Sequence, residues 1–90
     1  MVDVTIKRSL SSPNAGLVTA LVDQHSVTFD GGGVAVVKVD SGEHSLVWIV
    51  RGQPGMTYTI EIAAPPSLKF SHGATLDSAM KDSGLHWFTA

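Results

Sequence analysis

From Val2 to Leu10 apolar and polar residues alternate, with Val2, Val4, Ile6 and Leu10 on one side and Asp3, Thr5, Lys7 and Ser9 on the other. A period of two is the mark of a strand with one face in the core. Ser11, Ser12, Pro13, Asn14 and Gly16 then form a turn cluster, and Leu17 to Val22 reads as a second strand. Ser26 to Phe29 predicts a short third strand, ending at Asp30, Gly31, Gly32 and Gly33.

Val34 to Val39 and His44 to Arg51 are rich in β-branched residues and are separated by Asp40, Ser41, Gly42 and Glu43, which together predict a hairpin. Gly52, Gln53, Pro54 and Gly55 follow, with Pro before Gly as a type II turn prefers. Met56 to Ala63 alternates again, with Met56, Tyr58, Ile60 and Ile62 against Thr57, Thr59 and Glu61, until Pro65 and Pro66 end it. In the tail, Thr75 is placed to cap a short helix that gathers Leu76, Ala79 and Met80 on one face and stops at Gly84. Leu85 to Thr89 reads as a returning strand. About seven short strands joined by turn residues predict one all-β domain over residues 1–90, an immunoglobulin-like β-sandwich with a short helix near the C-terminus.

Ninety residues, 43% hydrophobic and 16% charged, suit a single packed core. The net charge is −2 and the six Lys and Arg are scattered, whereas a nucleic-acid platform needs a basic stripe. The longest apolar run, Leu46 to Val50, is far shorter than the ~20 residues of a membrane-spanning helix. Met1 leads directly into Val2, Asp3 and Val4 without the pattern of a signal peptide. That start leaves a cytoplasmic protein or a processed envelope or secreted domain as the alternatives. Cysteine is absent, which removes disulfides, thiolate metal sites and cysteine nucleophiles.

The segment Gly42, Glu43, His44, Ser45, Leu46, running on to Arg51 and Gly52, resembles the Gly-x-His-x-Leu segment of PEGA-like and related immunoglobulin-like bacterial domains. It covers about a tenth of the chain. The resemblance implies a hairpin turn at Gly42, a core position at Leu46, and a non-catalytic accessory or binding module, often at a bacterial surface or envelope.

Candidate chemistry is sparse. His25, His44, His72 and His86 are not at the i, i+2 or i, i+4 spacings that align ligands on one strand or helix, so no metal ligands are assigned. Gly31 to Gly33 lack the Lys and Ser or Thr of a phosphate-binding loop, and a β-branched strand follows them in place of a helix. Ser, His and Asp occur without a Gly-x-Ser-x-Gly elbow, so no catalytic residue is assigned and a hydrolase is only a third reading. No cofactor is expected.

Two binding readings carry more. The Val34–Val39 and His44–Arg51 strands are apolar on both faces, which predicts that something covers an outer face made of Val37, Val39, Val47 and Ile49. The tail, through Leu76, Ala79 and Met80, is the expected cover, with a protein partner or a second copy as the alternative. The other reading is a small carbohydrate-binding module that stacks sugar on Tyr58, Trp87 or Phe88. A non-enzymatic protein-binding or structural accessory domain is the reading favoured overall.

Overall fold

A computed structural model describes residues 1–12 and 16–90. Among the described residues the chain forms eight strands: β1 (Val2–Leu10), β2 (Leu17–Val22), β3 (His25–Ser26), β4 (Val34–Val39), β5 (Glu43–Arg51), β6 (Thr57–Ala64), β7 (Phe70–Thr75) and β8 (Lys81–Thr89). They make two antiparallel four-stranded sheets, β4-β1-β6-β7 and β3-β2-β5-β8, here called the first and second sheet. A one-turn 3-10 helix, Pro66–Leu68, links β6 to β7.

The alternation read from the sequence selects the core. Val4 and Ile6 of β1, Val18, Ala20 and Val22 of β2, Leu46, Trp48 and Val50 of β5, and Tyr58, Ile60 and Ile62 of β6 are all buried in one cluster. Each set is spaced by two, so each strand contributes one face, and the two sheets meet over a common interior. Trp48 reaches across to the first sheet, its ring centroid 4.9 Å from His72 and 5.8 Å from Phe70. Gly84 makes room for that ring: a Cβ there would lie 2.2 Å from Trp48 Cζ2.

The turn at Gln53–Met56 matches its expected type. Met56 N–H donates to the Gln53 carbonyl, and Gly55 holds φ at 86°, as the third residue of a type II turn requires. The Ser11–Gly16 cluster falls partly outside the described residues, at positions 13–15.

Three expectations are corrected. β4 and β5 are not a hairpin: β4 pairs with β1 in the first sheet and β5 with β2 and β8 in the second, so the Asp40–Gly42 connection crosses between sheets. Gly42 takes a positive φ of 122°, yet its backbone partner is Ala90, with which it exchanges hydrogen bonds of 3.0 and 2.8 Å. The third strand is only His25–Ser26, and Val27 and Phe29 pack against the core from irregular backbone.

The helix from Thr75 is absent. Thr75 ends β7, Leu76 alone of the expected face is buried, and Asp77–Met80 is a tight turn, closed by Met80 N–H on the Asp77 carbonyl. Met80 sits at φ 60°, outside the right-handed helical region. Ala79 and Met80 are exposed, so they do not lie across either sheet.

Candidate functional site

Polar clusters tie elements together at three places. Between the sheets, the Tyr58 hydroxyl donates to Asp82 Oδ2 at 2.6 Å and lies 3.2 Å from His72 Nε2. Tyr58 is 1% exposed, and burial followed by the Asp82 bond pushes its phenol up to about 12. A phenol so held joins β6 to β8 as a neutral donor. Beside it His86 stacks on Phe70 at 3.8 Å between centroids, and burial lowers its affinity for a proton.

The second cluster joins two connections. His44 Nδ1 lies 2.5 Å from Asp23 Oδ2 and its Nε2 lies 2.7 Å from the Asp40 carbonyl oxygen. Both partners present acceptor oxygens, an arrangement that favours a proton on each ring nitrogen and so the imidazolium form. Its proton affinity is raised, first by the Asp23 hydrogen bond and then by the Asp40 carbonyl. Asp23 is lowered in turn by His44 and by the Ser45 N–H. A triad would turn the far imidazole nitrogen toward a serine hydroxyl; here it is held by a carbonyl.

The third is a cleft lined by Arg8, Gly16, Leu17 and the Asp30–Gly33 loop. Asp30 Oδ1 accepts from the N–H groups of Gly32 and Val34, at 2.8 and 3.0 Å. A loop carboxylate therefore fills the place an anion would take. Arg8 is likewise committed, donating to the Val18 carbonyl with its guanidinium 4.4 Å from the Phe29 ring centroid. Among the described residues no three His, Asp or Glu side chains converge to hold a metal ion.

What remains open is the outer face of the second sheet. Its register sets Leu21, Val47 and Leu85 in one row and Thr19, Ile49 and Ser83 in the next. Leu17, Arg51 and Lys81 form a third row at one end, while Ser45 pairs with Trp87 and Glu43 with Thr89 toward the other. Trp87 is 58% exposed, Leu17 55%, Leu85 51% and Ile49 43%. The face is therefore apolar through its middle, basic at the Arg51–Lys81 end and acidic at Glu43. Arg51 and Lys81 stand directly opposite each other as like charges, and neither is in an ion pair among the described residues.

The four residues expected to form one outer face divide between two environments. Val47 and Ile49 belong to this face, but Val37 and Val39 point inward from the first sheet and pack in or against the core. The error follows from the supposed hairpin, which would have set β4 and β5 side by side. Val36, at 60% exposure, and Lys38 are the exposed residues of β4. Of the expected stacking residues only Trp87 is presented; Tyr58 and Phe88 are buried in the core. The sequence reading missed Leu17, Leu21 and Leu85, whose alternation was visible but whose alignment with β5 depends on long-range pairing.

No family model, curated protein or solved structure matches the chain. No helix among the described residues is long and apolar enough to cross a membrane.

Proposed function

We propose that the chain is a non-enzymatic protein-binding module that docks a partner on the outer face of its second sheet. The observation that carries this reading is the contiguous set Ile49, Leu85 and Trp87, each two-fifths or more exposed on adjacent strands. Scattered apolar residues need no explanation, whereas a continuous apolar patch rimmed by charge is the usual mark of an interaction surface. The immunoglobulin-like, accessory-domain reading belongs to the same proposal. Of the two roles that the PEGA-like resemblance asks for, Leu46 holds a fully buried position, whereas Gly42 turns the chain from one sheet to the other and closes no β4–β5 hairpin.

Selection of a displayed peptide library on the wild-type chain tests this, with Trp87→Ser and Ile49→Lys as counter-screens. Peptides with alternating apolar residues are expected to enrich, and their binding is expected to fall at least tenfold on either variant. Peptides that bind the variants equally well, or no enrichment at all, overturn the reading. A glycan array run with wild type and Trp87→Ala separates the sugar alternative, for which Trp87 is the one presented aromatic platform among the three expected.

A further inference from the structure

The apolar face ends at a strand whose outer edge borders no other strand among the described residues. β8 is nine residues long and contains no proline, and it borders only β5. The other edge of its sheet is the two-residue β3. Gly42 and Ala90 exchange backbone bonds, and Gly52 N–H donates to the Met80 carbonyl at 3.0 Å. Hydrogen-bonded pairs alternate along an antiparallel ladder, so even-numbered residues of β8 turn their backbone groups toward β5. Lys81, Ser83, Leu85, Trp87 and Thr89 turn theirs outward, where the Ser83 N–H is already taken, donating to Asp82 Oδ1 at 2.9 Å. These are also the residues whose side chains stand on the exposed face. A long edge of this kind is a template for another strand.

From this edge and the charge layout beside it, we infer that β8 pairs antiparallel with β8 of a second copy, joining two second sheets into one continuous eight-stranded sheet. This rests on the docking reading above and extends it from the face to the edge strand that borders it, where the partner is a second copy.

One register overlaps the whole strand, with a two-fold axis at Leu85. It sets Leu85 against its own copy, Ser83 against the partner's Trp87, and Lys81 against the partner's Thr89. Every outward backbone group of the five residues is then paired, the Ser83 N–H exchanging its Asp82 Oδ1 acceptor for the partner's backbone carbonyl. Charge selects the same arrangement. Within one chain Glu43 lies directly beside Thr89 and Arg51 beside Lys81. Antiparallel pairing therefore sets the basic end of one face against the acidic end of the other. Lys81 stands two strand spacings, about 10 Å, from the partner's Glu43 with only a threonine between, within reach of the two extended side chains. The contact occurs twice by symmetry, as a closed isologous interface requires.

The absence of native cysteine allows a direct test on the full chain. Leu85→Cys sets two sulfurs across the axis on Cα atoms about 5.5 Å apart, within disulfide range. Trp87→Cys sets them on atoms offset by four residues, about 14 Å, beyond that range. Under mild oxidation Leu85→Cys is expected to cross-link to twice the chain mass at least tenfold faster than Trp87→Cys. In sedimentation over a concentration series reaching the millimolar range, wild type is expected to dimerise. Lys81→Glu is expected to lose the dimer, and Lys81→Glu combined with Glu43→Lys to regain it. All substituted side chains are exposed, so a circular dichroism melt close to wild type verifies the fold. A wild-type chain monomeric throughout the series, equal cross-linking of the two cysteine variants, or failure of the charge exchange to restore the dimer overturns the inference. If the chain is monomeric while peptide binding still depends on Trp87, the edge pairing is wrong and the docking face stands. If both fail, the docking face itself is wrong.

Discussion

At the scale of single residues, Gly84 and Trp48 are one packing unit. The indole of Trp48 occupies the volume where a side chain at position 84 would stand, with three ring atoms within 2.8 Å of a would-be Cβ. Alanine there forces either the ring or β8 to move, and the ring is buried among His72, Phe70 and the core. Overpacking of this kind costs about 1 to 3 kcal/mol, and the upper end applies where neither neighbour yields. Gly84→Ala is therefore expected to lower stability by roughly 3 kcal/mol in urea unfolding followed by tryptophan fluorescence. A loss under half a kilocalorie would show that the ring moves freely. In the sequence Gly84 reads as a helix stop, because a glycine that makes room for a distant ring looks the same as one that ends a helix. Nothing local to Asp82–Leu85 announces a tryptophan thirty-six residues away.

At the scale of elements, what was legible depended on whether the signal was local. β1, β2, β4, β5 and β6 show their inner faces by alternation, since the residues that repeat at every second position are the buried ones. The tail carried a helical spacing that the fold does not use. Leu76 is anchored in the core, and its N–H donates to the Met56 carbonyl at 2.8 Å, a long-range bond that holds the segment extended against β6. The turn at Asp40–Gly42 was legible as a turn, but its sheet partner, Ala90, was not. The candidate face was legible only through β5, whose double-sided apolar pattern marks Val47 and Ile49; the flanking strands were assigned by long-range pairing alone.

His44 makes a related connection, since it pins the β2–β3 turn, through Asp23, to the connection before β5, through Asp40. Its proton affinity in the fold lies above the ordinary 6.5, so its contribution is fully present below that value and fades as pH rises through the folded one. Asp23 lies below its ordinary 3.8, so its contribution is present above that value and fades as pH falls through the folded one. Both act together in mildly acidic solution. Asp23→Asn keeps a residue tolerant of the left-handed φ of 50° found there but removes the charge. For a partly exposed pair the expected loss is ~0.5 to 1 kcal/mol in mildly acidic buffer, shrinking in alkaline buffer. Thermal melts across pH check it; a loss that is equal at all pH values, or a His44 resonance titrating below 6.5, would contradict the pinned imidazolium.

At the scale of the whole molecule, strands adjacent in the chain seldom stay in one sheet. Only β2–β3 and β6–β7 are neighbours both in sequence and in space, while β1 finds β4 and β6, and β5 finds β2 and β8. The molecule measures 39 × 23 × 21 Å, so the strands run along one long axis with connections gathered at its ends. At one of those ends Val2 pairs with Val39, and three residues further on Gly42 pairs with Ala90. The first and last described residues therefore flank the same crossing connection, one on each sheet. A bridge of about six residues, reaching some 20 Å when extended, is long enough to splice Ala90 to Met1. New ends can then be opened between Gly31 and Gly32, where a Cβ added at Gly31 would meet nothing within 4 Å. Such a circularly permuted chain retains every sheet pairing, since only its order of synthesis changes. Its amide spectrum should superimpose on that of the parent everywhere except around the splice and the new opening.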